Sequence, residues 1–254
     1  MSMSQDEVWL LKEKYKGTES SAFRADLERL KAGEPLAYLI GHTPFLNCEI
    51  SLDSHPLIPR TETEYWVEKA IESIQKDSKP DTKILDLCAG SGCVGVAVAK
   101  AVPDAQVTFA EIDSSHLPTI KKNLEQNLAD YFKRTEDFQV IESNLFENVE
   151  GTFDLILTNP PYIDLVLDRT ESSVKSHEPH LALYGGSAGL DIINSIIKES
   201  PKYLNNDGEL WIEHEPEQVG SMHSLALKYG FSVVTHKDQY CVERFSVLTL
   251  KKTK

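Results

Sequence analysis

Lys83-Ile84-Leu85-Asp86-Leu87-Cys88-Ala89-Gly90-Ser91-Gly92, continuing as Cys93-Val94-Gly95-Val96-Ala97-Val98-Ala99-Lys100-Ala101-Val102, decides the fold. It opens as a short apolar run of the kind that forms a strand buried on both faces, and it closes as an apolar helix. Between them lies a glycine loop. Glycine there lets a ligand approach the backbone with no Cβ in the way, and the N–H groups at the helix start face whatever is bound. Gly90-Ser91-Gly92-Cys93-Val94-Gly95 also spells G-x-G-x-x-G, so a nicotinamide-dinucleotide site is open on spelling alone.

Outward from this unit the rhythm repeats. Residues 107–113 predict a second strand and 115–129 a second helix; 138–141 and 153–158 predict a third and fourth strand. A helix over 190–203, a strand over 208–214, a helix over 217–229 and two strands, 231–236 and 243–250, follow. Strands alternating with helices mean βαβ units and a mostly parallel sheet covered on both faces. The last two strands are close in sequence and are expected as antiparallel neighbours at one edge. Upstream, residues 1–32 predict two short amphipathic helices broken at Gly17-Thr18-Glu19-Ser20-Ser21, and residues 38–58 a hairpin. A helix is expected from Thr61, where an acidic first turn precedes the apolar stripe Trp66, Val67, Ala70, Ile71; Asp77-Ser78-Lys79-Pro80-Asp81 is the next break. The expected division is a helical region with a β-hairpin over 1–58 and an α/β domain over 59–254.

The chain has 254 residues, with 26 Lys+Arg against 40 Asp+Glu and a net charge of −14. That charge argues against a non-specific nucleic-acid binder, which gains affinity by setting Lys and Arg against phosphates. The basic pairs Lys121-Lys122 and Lys251-Lys252-Thr253-Lys254 read as solvated helix and tail residues. There is no apolar run long enough for a membrane helix and no secretory pattern at the start, so a cytoplasmic protein is expected. Cys48, Cys88, Cys93 and Cys241 include no C-x-x-C pair and are expected to be reduced thiols. The histidines show no metal-ligand spacing, and no metal is expected.

Two sites carry chemistry. Asp113, in Glu111-Ile112-Asp113, is expected at the end of the second strand, where a carboxylate accepts hydrogen bonds from two ribose hydroxyls. Both nicotinamide and S-adenosylmethionine (AdoMet) sites use such an acid; the competing role is a cap for the following helix. The fourth strand runs into Asn159-Pro160-Pro161-Tyr162. Two prolines fix the chain and remove two N–H donors, so carbonyls are left free. With the Asn159 side-chain carbonyl they make a rigid set of acceptors, suited to holding a planar –NH2 group while its nitrogen attacks an electrophile. Tyr162 is placed to stack on the planar group.

Asn159-Pro160-Pro161-Tyr162 with the Leu85–Gly92 loop resembles the amino-group-modifying class I AdoMet methyltransferases. Residues 33–41 (GEPLAYLIG), 57–64 (LIPRTETE), 178–186 (EPHLALYGG) and 210–214 (LWIEH) are similar to the HemK/PrmC family of protein-(glutamine-N5) methyltransferases. The resemblance implies a Rossmann-like seven-stranded α/β sheet with the last strand antiparallel, and a small N-terminal helical domain joined by a hairpin. It implies methyl transfer from AdoMet, with S-adenosylhomocysteine as product, to the glutamine of the Gly-Gly-Gln motif in peptide chain release factors. It puts the AdoMet loop on Cys88, Ala89, Gly90, Ser91 and Gly92, the ribose acid on Asp113 and the adenine-side pair on Asn144 and Leu145. It puts the substrate clamp on Asn159, Pro160, Pro161 and Tyr162. It implies that Asn159 and Pro160 are the catalytic pair and that Asn159 also contacts the cofactor. Arg60 and Thr61 fall near the methionine end.

Departures from the family pattern are Cys88 for a glycine, Thr61 for a proline and Leu145 for a frequent aromatic. The region before Gly33 is short, which is expected to lower affinity for the factor rather than abolish the chemistry. Neither stable nucleic-acid binding nor a membrane is expected. The alternative acceptors are a ribosomal-protein glutamine and a nucleic-acid exocyclic amino group; the latter would need a basic groove.

Overall fold

The computed structural model describes residues 3–77, 79–129 and 131–250. Ser78 and the basic tail 251–254, both named above, lie outside the described residues. Helix α1 (Gln5–Glu13) starts with a capping box: the Ser4 hydroxyl accepts from Glu7 N at 3.3 Å, and Ser4 N donates to Glu7 Oε2 at 2.8 Å. Helix α2 (Ser21–Lys31) is capped by Ser20, which explains the break before it. A short α3 (Leu36–Ile40), which the sequence did not suggest, stops at left-handed Gly41. Leu10, Phe23 and Leu39 form a small core of their own among these three helices.

The hairpin follows, β1 (His42–Phe45) and β2 (Cys48–Ser51), and its apolar side does not join that small core. Phe45, Ile50 and Leu52 pack into the main core with Trp66 of α4 (Thr61–Asp77). Then come β3 (Lys83–Leu87), α5 (Cys93–Ala101), β4 (Gln106–Glu111), α6 (Leu117–Asn127), β5 (Phe138–Glu142) and β6 (Phe153–Thr158). The chain continues as α7 (Ser172–His177), α8 (Asp191–Glu199), β7 (Leu204–Glu213), α9 (Val219–Lys228), β8 (Phe231–Lys237) and β9 (Glu243–Leu250).

The seven-stranded sheet has the order β5-β4-β3-β6-β7-β9-β8. Pairs from β5 through β7 are parallel, while β9 is antiparallel to both β7 and β8. As expected, the last two strands are antiparallel neighbours at one edge of the sheet; β9 inserts between β7 and β8, so β8 is the outermost strand there. One face is covered by α4, α5 and α6, whose Trp66, Val67, Val94, Val98, Ile120 and Leu124 are buried against it. The other is covered by α8 and α9 through Ile193, Ile196, Ile197, Met222 and Ala226. Gly95 lets α5 approach the sheet closely; a Cβ there would overlap the Phe109 ring of β4.

Two predicted helices are shorter than expected. Residues 114–116 form a 3₁₀ turn before α6, with Pro118 in its first turn, and α8 gives way to a 3₁₀ turn at Ser200-Pro201-Lys202.

Candidate active site

The chain runs from β3 to β4 and β5 on one side of the sheet, then returns to β6 on the other side of β3. The carboxyl ends of these strands therefore border a crevice at the reversal point, the position where open α/β sheets bind ligands. Two adjoining cavities open there, and Leu57, Asn159 and Ala182 line both.

The smaller cavity is lined from β3 by Cys88 and Gly90, from β4 by Glu111, Ile112 and Asp113, and from β5 by Ser143, Asn144 and Leu145. Asn159 and Pro161 close it from β6. Ala89, Ser91 and Gly92 are not among its lining residues. Ala89 N donates to Ala110 O at 3.1 Å, and Gly92 N donates to Ala89 O at 2.7 Å. The Ser91 carbonyl accepts from Asn123 Nδ2 at 2.9 Å. Asn123 also exchanges hydrogen bonds with Ser51, so the glycine loop, α6 and the hairpin share one buried amide. Cys88 takes a left-handed φ of 61°, a conformation more usual for glycine, and burial pushes its thiol well above the usual range.

Sequence reasoning missed Glu111. It is the last residue of β4 and is buried; its Oε2 accepts from Gly90 N at 2.7 Å and its Oε1 from Asp113 N at 2.8 Å. The available signal was its position, because the strand stops at Glu111 and not at Asp113. Asp113 caps the turn after it: Oδ1 accepts from Ser115 N at 2.9 Å, and these bonds to Ser115 lower its pKa. It therefore caps a turn and lines the cavity at once.

The larger cavity is lined by Asn159, Pro160 and Tyr162, with Arg60, Leu167 and Glu215 among its other walls. The Asn159 amide nitrogen donates to Thr63 Oγ1 at 3.1 Å. Tyr162 OH donates to Glu213 Oε1 at 2.9 Å, and burial together with the Glu213 charge raises that hydroxyl well above the usual tyrosine value. Gln218 Nε2 donates to Tyr162 O at 2.8 Å and also to Gly189 O at 3.1 Å. Gly189 has a φ of 66°, and a Cβ on it would overlap the Tyr162 carbonyl, so only glycine fits under this segment.

Arg60 lines the larger cavity and not the smaller one; Thr61 lines neither and begins α4. Buried Glu178 accepts from Ile58 N at 3.0 Å and from Arg60 Nη2 at 2.5 Å, which holds the Leu57–Arg60 strap over the junction of the two cavities. Among the described residues no group of three or more His, Cys, Asp or Glu side chains is gathered as a metal would need. No helix among them is long and apolar enough to cross a membrane.

A crevice at the reversal point of this seven-stranded sheet, with Asn159 in the wall common to both cavities, marks a methyltransferase fold. Residues 70–174 match the family described as "Methyltransferase small domain". The fold is similar to that of the T. Thermophilus 16S rRNA N2 G1207 methyltransferase, solved in complex with AdoMet and guanosine. The TM-score is 0.56 at 17% identity, over 83% of this chain and 50% of that one. Two curated relatives are more similar in sequence. The release factor glutamine methyltransferase of Rhodopirellula baltica is 36% identical over 214 residues, 82% of this chain and 71% of that protein. The release factor glutamine methyltransferase of Borreliella burgdorferi is 34% identical over 215 residues, 84% and 72% of the two chains. The chain belongs to the release factor glutamine methyltransferase family.

Proposed function

We propose that this enzyme transfers the methyl group of AdoMet to N5 of a glutamine side chain, and that its substrate is the Gly-Gly-Gln glutamine of a peptide chain release factor. The observation that carries the proposal is the place and orientation of Asn159. It stands between the two cavities, and its NH2 group is engaged by Thr63, so its carbonyl oxygen is left for a ligand. The substrate named in its curated relatives supports the choice of acceptor.

The smaller cavity fits AdoMet by the chemistry of its walls. Glu111 and Asp113 offer carboxylates to the vicinal ribose hydroxyls, Leu145 and Ile112 offer apolar surface to adenine, and Asn144 offers a polar edge. When bound, AdoMet supplies a methyl carbon activated by a positive sulfur. The protein's part is positioning. Asn159 Oδ1 and the Pro160 carbonyl accept the two hydrogens of the glutamine –NH2 and hold its nitrogen toward the smaller cavity. Both acceptors gain strength as positive charge develops on that nitrogen, which is where preorganised dipoles lower a barrier. Pro160 and Pro161 keep competing N–H donors away.

The same reading assigns residues 1–58 to the helical and hairpin appendage and 59–254 to the methyltransferase domain, and it sets the reaction in the cytoplasm. The test is mass spectrometry of release factors after incubation with the enzyme and AdoMet. The expected result is one added methyl group on the Gly-Gly-Gln glutamine. Methylation of a nucleic acid or a ribosomal protein with none on any release factor would overturn it.

A further inference from the structure

An asparagine side chain is nearly symmetric in shape: turned over, it presents two donors where it had an acceptor. A clamp for an –NH2 group works only one way round, and nothing in Asn159-Pro160-Pro161-Tyr162 itself chooses. The choice is made elsewhere. The parallel register Thr158↔Ile212 between β6 and β7 sets residue 159 beside residue 213. Glu213 is 1% exposed, and three donors converge on its carboxylate. Its Oε2 accepts from Thr63 Oγ1 at 2.7 Å and from Trp66 Nε1 at 2.7 Å, and its Oε1 accepts from Tyr162 OH at 2.9 Å. Burial raises the Glu213 carboxyl above its ordinary value, and the bonds from Trp66, Thr63 and Tyr162 pull it back.

A carboxylate with donors on both oxygens has no hydrogen to give. The single hydroxyl hydrogen of Thr63 therefore points at Glu213, and only lone pairs remain for Asn159, 3.1 Å away. Lone pairs can receive only the NH2 end of the amide. We propose that Glu213, acting through Thr63 at the start of α4, sets the Asn159 amide with its carbonyl toward the methyl acceptor, so that the site selects acceptors bearing –NH2. This rests on the methyl-transfer reading above. Neither Thr63 nor Glu213 lines either cavity, so both are positioning residues. The same carboxylate holds Tyr162, so one buried charge orients both ends of the segment.

The test compares Thr63→Val and Thr63→Ser with the wild-type chain in three measurements. They are steady-state methylation of a release factor, AdoMet binding by calorimetry, and deuterium exchange of the Asn159 side-chain NH2 followed by NMR, its signal assigned by its loss in Asn159→Ala. Thr63→Val keeps the shape and removes the hydroxyl. It is expected to lower kcat by about tenfold or more, the scale of one lost hydrogen bond. AdoMet affinity should fall by less than kcat, because Asn159 is the one lining group of the smaller cavity that is released while Glu111, Asp113, Asn144 and Leu145 keep their places. The Asn159 NH2 protons should exchange faster, and Thr63→Ser should restore both rate and protection.

Should Thr63→Val fail to fold, Thr63→Ala reads the same loss without the branched side chain. Wild-type kcat and unchanged exchange protection in the hydroxyl-free variant would overturn the proposal, as would a Thr63→Ser chain as slow as Thr63→Val. The exchange measurement needs no acceptor. It therefore reads the orientation of Asn159 even where no release factor is methylated, an outcome that bears on the proposed substrate instead.

Discussion

Gly90 N donates to Glu111 Oε2 at 2.7 Å, so the glycine loop after β3 and the acid that ends β4 form one hydrogen-bonded unit on the floor of the smaller cavity. Glu111 → Ala is expected to weaken AdoMet binding by about 1.5–3 kcal/mol, the range for losing hydrogen bonds to a charged group. Asp113→Ala should weaken it less, because Asp113 is far more exposed than Glu111, whose loss would also release the Gly90 and Asp113 N–H groups that shape the cavity. Calorimetric titration of the two variants checks the order, and a larger loss for Asp113→Ala would reverse the assignment.

Asn159→Ala should cut turnover by about 10²-fold or more, the scale for losing a preorganised polar group aimed at developing charge. AdoMet affinity should fall less, since Glu111, Asp113, Asn144 and Leu145 still line the cofactor cavity. Asn159→Asp keeps an acceptor but removes the NH2 that Thr63 receives, and partial activity is expected. Single-turnover rates at saturating AdoMet separate these cases; a near-wild-type Asn159→Ala rate would remove the clamp from the mechanism.

Asp86 is buried in β3, and its Oδ2 accepts from Gly95 N at 2.8 Å. Burial raises its carboxyl from 3.8 to about 8; the Gly95 bond opposes the rise and the Glu111 charge adds to it. The folded chain thus holds this proton more tightly than the unfolded chain. Its contribution to stability is full below the unfolded value and is lost as pH rises from there to about 8, by up to ~1.4 kcal/mol per unit. Asp86→Asn removes that dependence. Urea denaturation of both chains across this pH range should show the variant gaining on the wild type as pH rises; parallel curves would mean that Asp86 is ionised in the fold.

Gly95→Ala is expected to destabilise the chain by about 1–3 kcal/mol, because the added methyl group meets the buried Phe109 ring and α5 must move off the sheet. Thermal melts check this, and an unchanged melting temperature would show that α5 shifts at no cost.

The strands and most helices were legible because burial on both faces writes apolar runs such as Leu155-Ile156-Leu157 and, interrupted by a single acid, Ile84-Leu85-Asp86-Leu87, bounded by turn residues. The place of β9 was not legible. Apolar pattern and short connection predict an antiparallel pair with β8 but do not say on which side of it the last strand lies. Asn159 could be picked out from its own neighbours, whereas its orientation depends on Thr63, 96 residues earlier, which reads in sequence only as a first-turn helix residue. Glu111 was overlooked for a similar reason: Asp113 matches a ribose acid equally well until the strand is seen to end two residues sooner.

The insertion of β9 between β7 and β8 also orders the birth of the enzyme in time. During synthesis β7 and β8 leave the ribosome before the strand that joins them, and β8 has no other neighbour in the sheet. Until residues 243–250 emerge, the backbone of β7 at Glu213, which pairs with Phe245, is an open sheet margin. The carboxylate that organises Thr63 and Tyr162 thus rests on a strand whose outer margin is closed by β9, a segment that contributes no residue to either cavity.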